Sequence, residues 1–182
     1  MLGCLEIAFC RTRLWIGSKG VHNGVSSMSF GITHLGSGSR GNATLISSEE
    51  CNILVDCGFS LKQTEKRLGI AGVKPDSIDS IVVTHHHKDH SGSALGASKK
   101  WGSSLHCNMG TAIRMGWRPI EECKTFGNLE RIDFSSKMSM LAVPVPHDDS
   151  DNVAVIASDG RGNRAAIVTD LGEAPKDLIN HL

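Results

Sequence analysis

The chain has 182 residues, 40% hydrophobic and 21% charged, with 19 basic side chains against 19 acidic ones. That size and apolar content fit one domain with a sizeable core and exclude a disordered tail, and no apolar run approaches the ~20 residues of a membrane span. A formal net charge of zero gives bulk electrostatics no part in nucleic-acid binding, although a local basic groove stays open.

Residues 1–27 carry Gly, Ser and Asn breakers without a sustained period, and are expected to form an extension outside a domain occupying 28–182. Within the apolar start, Glu6 interrupts the run, and Arg11 and Arg13 follow it rather than precede it, so an export signal is not expected. The six cysteines include no C-x-x-C pair, and Cys51 and Cys57 flank an apolar run suited to buried free thiols. A reduced, cytoplasmic protein is the expectation.

The domain opens with an alternating run from Met28 through Leu35, followed by the tight polar loop Gly36-Ser-Gly-Ser-Arg-Gly-Asn42. Strands are predicted over 43–47 and 52–56, joined by a polar turn at Ser48-Glu49-Glu50. A helix follows over 60–68, with Ser60 and Gln63 spaced as a capping box and Gly69 as its stop. The most apolar strand, 78–84, runs straight into a histidine cluster. Beyond it a helix is predicted over 94–101, a strand over 104–107 and a short helix over 111–115. Strands at 130–134, 138–145, 153–157 and 165–169 complete the pattern, the last two joined by a hairpin turn at 159–163. A final helix spans 175–180. This strand-led mixture predicts a layered α/β (α+β mixed) domain rather than a sandwich of sheets alone.

The segment Thr84-His85-His86-His87-Lys88-Asp89-His90 concentrates four of the nine histidines. With about one residue type in twenty at each fixed position, H-x-H-x-D-H arises by chance in roughly one chain per thousand of this length. It also sits at the carboxyl end of an apolar strand, where α/β sheets usually present ligand sites. In an extended or sharply turning segment His85 and His87 point the same way and can reach one ion, while Asp89 and His90 address a neighbouring position. His86 and Lys88 are expected to be spectators. Imidazole and carboxylate together suit Zn2+, and tolerate Mn2+ or Fe2+. Two further strand ends qualify as ligands: His147 after Ala142-Val-Pro-Val-Pro, and Asp170 after Ala166-Ile-Val-Thr, the latter as a bridge between ions. Asp56, ending Ile53-Leu-Val, is expected to support a ligand rather than to be one.

The motif Thr84–His90 matches the T-H-x-H-x-D-H signature in full, and the stretch from Phe30 to Gly172 resembles the metallo-β-lactamase fold superfamily. Gly36–Asn42, Leu54-Val-Asp-Cys-Gly58, His147-Asp148 and Thr169-Asp-Leu-Gly172 are together similar to its WalJ/YycJ-like exonuclease branch, cytoplasmic bacterial DNA exonucleases. The resemblance implies a four-layer αββα sandwich holding two divalent cations. His85, His87 and His147 would hold the first, Asp89 and His90 the second, and Asp170 would bridge them. The family's last histidine ligand has no match here. His181 does not fit that motif, so the second half of the fold is expected to be incomplete and the second ion short of a ligand.

The expected chemistry is hydrolysis by a metal-activated hydroxide, with Asp89 as the catalytic carboxylate that orients it; the pKa of water falls from 15.7 to about 7 on a suitable ion. For a phosphodiester such as DNA, Arg40 and Asn42 in the glycine-rich loop and Lys99, Lys100 and Arg114 are candidate contacts. A thioester or lactone hydrolase of the same fold, and an inactive fragment, are the competing readings. No cysteine has an identifiable supporting base, so a thiol nucleophile is not expected.

Overall fold

The computed structural model describes residues 7–10, 30–147, 151–172 and 175–181. Eleven strands and five α-helices are found among them: β1 (Ile7–Cys10), β2 (Gly31–Gly36), β3 (Ala43–Ser47), β4 (Asn52–Val55), α1 (Leu61–Ile70), β5 (Ser80–Val82), α2 (Lys88–Ser91), α3 (Ala94–Trp101), β6 (Ser104–Asn108), α4 (Met109–Met115), β7 (Lys124–Phe126), β8 (Arg131–Asp133), β9 (Ser139–Pro144), β10 (Val153–Ser158), β11 (Arg164–Val168) and α5 (Lys176–His181). The strands build a six-stranded sheet in the order β2-β3-β4-β5-β6-β7 and a five-stranded sheet in the order β1-β11-β10-β9-β8.

Period-two alternation assigns each sheet two buried faces. Ile46, Ile53, Val55 and Val82 point from the six-stranded sheet toward Met140, Val155 and Ile167 of the other, forming the apolar layer between sheets. Their neighbours Leu45, Leu54, Ile81 and Leu105 face outward, where Leu68 of α1, Ala94, Ala97 and Trp101 of α3 and Ala112 of α4 cover them. Across the molecule Val143, Ala154, Ile156 and Ala166 pack with Leu178 of α5. The architecture is therefore α, β, β, α in four layers. No helix among the described residues is long and apolar enough to cross a membrane.

The six-stranded sheet changes character along its width. β2, β3 and β4 are antiparallel neighbours, while β4, β5, β6 and β7 pair in parallel. Parallel strands end at the same edge, so β4 and β5 bring Asp56 and Thr84 side by side. In the other sheet β9 and β11 both run antiparallel to β10 between them, so their ends also meet at one edge.

Several boundaries differ from the sequence reading for local reasons. The helix expected to stop at Gly69 runs to Ile70; the left-handed position after it is taken by Gly72 at φ 78°. Ser60 precedes α1, but its side chain makes no capping hydrogen bond. β7 was not anticipated, because three residues with two exposed leave no alternation to read. The backbone of Ile7–Cys10 pairs antiparallel with β11, from Ile7 opposite Val168 to Cys10 opposite Ala165.

Ile53 is fully buried in the layer between the sheets. Ile53→Ala should lower the unfolding free energy by about 2–5 kcal/mol through lost burial and a residual cavity, read as a shifted denaturation midpoint with an unchanged m-value. A shift no larger than that of a surface substitution would contradict the packing described.

Candidate metal centre

The two pairs of strand ends face each other, and the linchpin of the six-stranded side is Asp56. Its backbone adopts φ 61°, a left-handed conformation that aspartate tolerates better than most residues. The turn folds its buried carboxylate back over β5. Oδ1 accepts the Thr84 backbone N–H at 2.8 Å, and the Thr84 hydroxyl donates to Oδ2 at 2.9 Å. Oδ2 also accepts from His90 Nδ1 at 2.7 Å. Asp56 thus supports the histidine motif, as its sequence position suggested.

These bonds fix ring tautomers. The single hydroxyl hydrogen of Thr84 is committed to Asp56, so Thr84 Oγ1 accepts from His85 Nδ1 at 3.0 Å. That leaves the His85 Nε2 lone pair facing inward. His90, with Nδ1–H held by Asp56, likewise turns Nε2 inward, 2.8 Å from Asp170 Oδ2. Carbonyl, carboxylate or hydroxyl partners on the outer nitrogen are the usual way a protein aims the inner nitrogen of an imidazole at a cation.

After β5 the chain turns sharply into the four-residue α2. Ser91 Oγ donates to the carbonyls of His86 and His87, at 2.8 and 3.0 Å, and closes that turn. His85 and His87 converge as the alternating spacing implied, with Nε2 of the first 3.0 Å from Nδ1 of the second. Lys88 is exposed on the outer side of the turn, whereas His86 is half-buried with its ring centroid 4.6 Å from that of His87.

The five-stranded sheet contributes the rest. His147 lies three residues beyond β9, its Nε2 3.4 Å from His87 Nδ1. Asp170 follows β11 by two residues at φ 51°, again in the left-handed region, and its Oδ2 stands 3.4 Å from His85 Nε2. One ligand atom from each of His85, His87, His147 and Asp170 falls within 4.8 Å of all the others. Ligands at the corners of a tetrahedron with ~2.0–2.1 Å bonds stand about 3.3 Å apart, so the spacing suits a single zinc-sized ion. Beside this group His90 Nε2 stands 2.8 Å from Asp170 Oδ2 and 3.7 Å from Asp89 Oδ2. His181 is on α5 and is not part of the cluster.

Electrostatics sort the imidazoles. Burial, together with the neighbouring His90 and His87, pushes His85 down to about 3, leaving it neutral and able to donate its lone pair at any ordinary pH. Burial also opposes charge on His90, but the Asp56 carboxylate and the contact with Asp170 outweigh it and raise this ring to about 10. Surroundings that favour a proton on His90 so strongly are surroundings that favour positive charge in general.

Three residues of the site were not read correctly from the sequence. Asn42 was a candidate substrate contact; instead it is fully buried and clamps the motif. Its amide nitrogen lies 2.8 Å from His90 Nε2 and 3.1 Å from the Asp89 carbonyl, and its backbone N–H donates to that same carbonyl at 2.7 Å. Its Oδ1 accepts from Ser37 Oγ and the Gly38 N–H, tying the glycine-rich loop to the site. Thr84 was seen only as part of the motif. Asn152, buried between the two strand ends of the second sheet, donates its side-chain amide to the Thr169 carbonyl at 3.1 Å, and its backbone carbonyl accepts the Val145 N–H at 3.0 Å. The charge on Asp89 and the position of Asn42 before an apolar strand were visible signals; nothing in the sequence pairs positions 145, 152 and 169. Of the other candidate contacts, Lys99 and Lys100 are paired with Glu122 and Glu65.

Cys51, Cys57, Cys107 and Cys123 are not poised as nucleophiles: burial raises Cys51 to about 11 and Cys57 to about 12, and pushes Cys107 and Cys123 up as well.

Comparison with known proteins gives the same architecture. The chain is 32% identical over 113 residues to Exodeoxyribonuclease WalJ of Streptococcus pneumoniae serotype 2, covering 62% of this chain and 39% of that protein. It is 29% identical over 150 residues to Exodeoxyribonuclease YycJ of Bacillus anthracis, covering 76% and 53% respectively. It therefore spans about two-fifths to one-half of the length of these curated relatives. Among solved structures, BJP-1, a subclass B3 metallo-beta-lactamase of Bradyrhizobium japonicum, superposes with a TM-score of 0.62 at 17% identity, covering 76% of this chain and 58% of that one. The di-zinc class B3 enzyme LRA-12 from an Alaskan soil metagenome gives 0.62 at 16% identity, covering 81% and 66%. The family model described as the metallo-beta-lactamase superfamily matches residues 36–182, from the glycine-rich loop through both halves of the site, and the chain belongs to that superfamily.

Proposed function

We propose that this chain carries the metal centre of a phosphodiesterase acting on DNA, an exonuclease in the manner of the relatives it resembles. The observation that carries the proposal is the group His85, His87, His147 and Asp170 within ligand reach of one another, with His90 2.8 Å from Asp170 and 3.7 Å from Asp89 beside it; Asp89 and His90 would hold a second cation, bridged to the first by Asp170. Two cations about 3.5–4 Å apart suit in-line displacement at phosphorus, where charge develops on both the attacking and the leaving oxygen. The names of the curated relatives point to DNA as the polymer.

Divalent cations, Zn2+ first among the candidates, would supply Lewis acidity and lower the pKa of water toward about 7. The chain's own residues do the positioning. His85, aimed by Thr84, presents a preset lone pair, and Asp56 holds the His90 ring with Nε2 turned inward, so little side-chain entropy is lost on loading. Asp89 is one-third exposed, its Oδ2 steadied by Asn42 Nδ2 at 3.4 Å. Its Oδ1 is left to orient the attacking water and accept a proton. The described cysteines, free and buried, fit the reducing compartment of a cytoplasmic enzyme.

The purified chain should bind about two equivalents of Zn2+ or Mn2+ and release nucleotides from DNA, with loss on chelation and recovery on adding the metal back. Turnover of an acyl thioester or a lactone with no cleavage of DNA would overturn the substrate assignment while sparing the metal centre.

His87→Ala removes the ring that stands between His85 and His147. Nucleotide release should drop at least about 100-fold and bound metal should decrease, with the circular dichroism spectrum unchanged. Retention of full metal content by this variant would contradict the ligand assignment.

Asp56→Asn keeps the shape but places an amide where three donors converge. Metal affinity, measured by competition with a chromophoric chelator, should weaken about 10–100-fold. Wild-type affinity would show that the Asp56 carboxylate does not aim these rings.

A further inference from the structure

A second concave feature adjoins the metal centre. The loop from Gly36 to Gly41, together with Phe59, Ser60, Gln63 and Arg67, encloses a cavity of about 690 Å³. That lies within the ~300–1,000 Å³ of small-molecule sites and exceeds the space a lone ion needs. The loop's shape is built in: Gly36, Gly38 and Gly41 have φ of 149°, 138° and 144°, and a Cβ at Gly41 would come within 2.5 Å of the Phe59 nitrogen. From Gly41 the chain passes to Asn42, which grips Asp89 and His90. From Phe59 it passes back to Gly58, where a Cβ would collide with the Asp89 carbonyl. Along two chain segments the cavity walls are thus one residue from Asn42 and Gly58, which touch the Asp89–His90 turn.

The charge in this cavity is of one sign. Arg67 is half-buried, its guanidinium carbon 4.1 Å above the Phe59 ring and one terminal nitrogen donating to the Leu35 carbonyl. Its Nε is buried without a hydrogen-bond partner. Lys99, Lys100, Lys137 and Arg161 each have a carboxylate partner, but no described carboxylate pairs with Arg67 or with exposed Arg40 across the cavity. The first turn of α1, which lines the same space, carries no acidic residue and no side-chain cap, leaving its N–H groups to outside acceptors. No carboxylate among the described residues lines the cavity.

We propose that this cavity binds a backbone phosphate of a nucleic-acid strand, with Arg67 as its fork-shaped anchor and Arg40 as a second cation, holding the strand while a neighbouring linkage lies at the metal centre. The assignment rests on the phosphodiester reading above. Arg suits the role because its planar donors match phosphate oxygens in pairs, and because stacking on Phe59 fixes the plane in advance.

The test is binding without turnover. A fluorescent 5′-phosphorylated single-stranded oligodeoxynucleotide is titrated with the full chain in EDTA and followed by anisotropy at several salt concentrations. Arg67→Gln should weaken binding about tenfold and reduce the slope of log K against log salt by about 0.7, the loss of one phosphate contact on a single strand. Arg40→Gln, which removes no structural contact, should move both quantities in the same direction with an unchanged melting temperature. Wild-type affinity and slope in both variants would overturn the proposal. If Arg67→Gln misfolds by circular dichroism, Arg40→Gln decides alone on the same criterion. Displacement of the oligonucleotide by inorganic phosphate at an equal concentration of phosphate groups would mark a free-phosphate site and overturn the strand assignment. A protein that releases no nucleotides from DNA, yet binds the strand in an Arg67- and Arg40-dependent way, loses the phosphodiester reading and keeps this one. Nucleotide release with binding indifferent to both arginines does the reverse.

Discussion

Everything at the seam between the sheets depends on one buried carboxylate. Taking the charge of Asp56 out of water costs several kcal/mol unless donors replace the lost hydration. Three do so: the Thr84 N–H, the Thr84 hydroxyl and His90 Nδ1–H. Each of these donors is thereby fixed in direction, and each lies on the segment that carries the histidine motif. The cost of burying Asp56 and the orientation of His85 and His90 are two sides of one arrangement. Replacing it with an apolar residue would remove the desolvation penalty and, with it, the reason for the imidazoles to face inward.

The glycine-rich loop extends this arrangement outward. Asn42 holds the Asp89–His90 turn from one side through both its backbone and its side chain, and holds its own loop from the other through Ser37 and Gly38. Loop conformation and ligand geometry are therefore coupled through a single amide. The concave surface beyond the loop inherits its rigidity from the metal site rather than from loop packing alone.

Most of the fold was legible because both sheets are buried on both faces, and long apolar runs with clear punctuation leave little ambiguity. The helix over 94–101 and the strand over 43–47 coincide with α3 and β3 residue for residue. What escaped was short: α2 with four residues and β7 with three cannot display a period. In the site, His85, His87, Asp89 and His90 announce themselves by spacing within one turn, and His147 and Asp170 by their positions at strand ends. Asn42 and Asn152 do not, because their roles lie in hydrogen bonds to backbone groups 47 and 17 residues away in sequence. A single sequence carries the chemistry of a side chain but not the address of its partner.

The candidate ligand atoms are drawn from both sheets: His85, His87, Asp89 and His90 come from one, His147 and Asp170 from the other. Direct polar ties across the seam at this end include the Val153 N–H to the Thr84 carbonyl at 3.3 Å, the Thr169 hydroxyl to that of Thr84 at 3.4 Å and His90 Nε2 with Asp170 Oδ2 at 2.8 Å. A divalent ion seated there would rivet together two halves whose remaining contact is largely apolar. Because a ligand bound only by the native state stabilises it by RT ln(1 + [L]/Kd), about 2.7 kcal/mol at a hundredfold excess over Kd, cation supply would set how tightly the halves stay clasped as well as whether chemistry occurs.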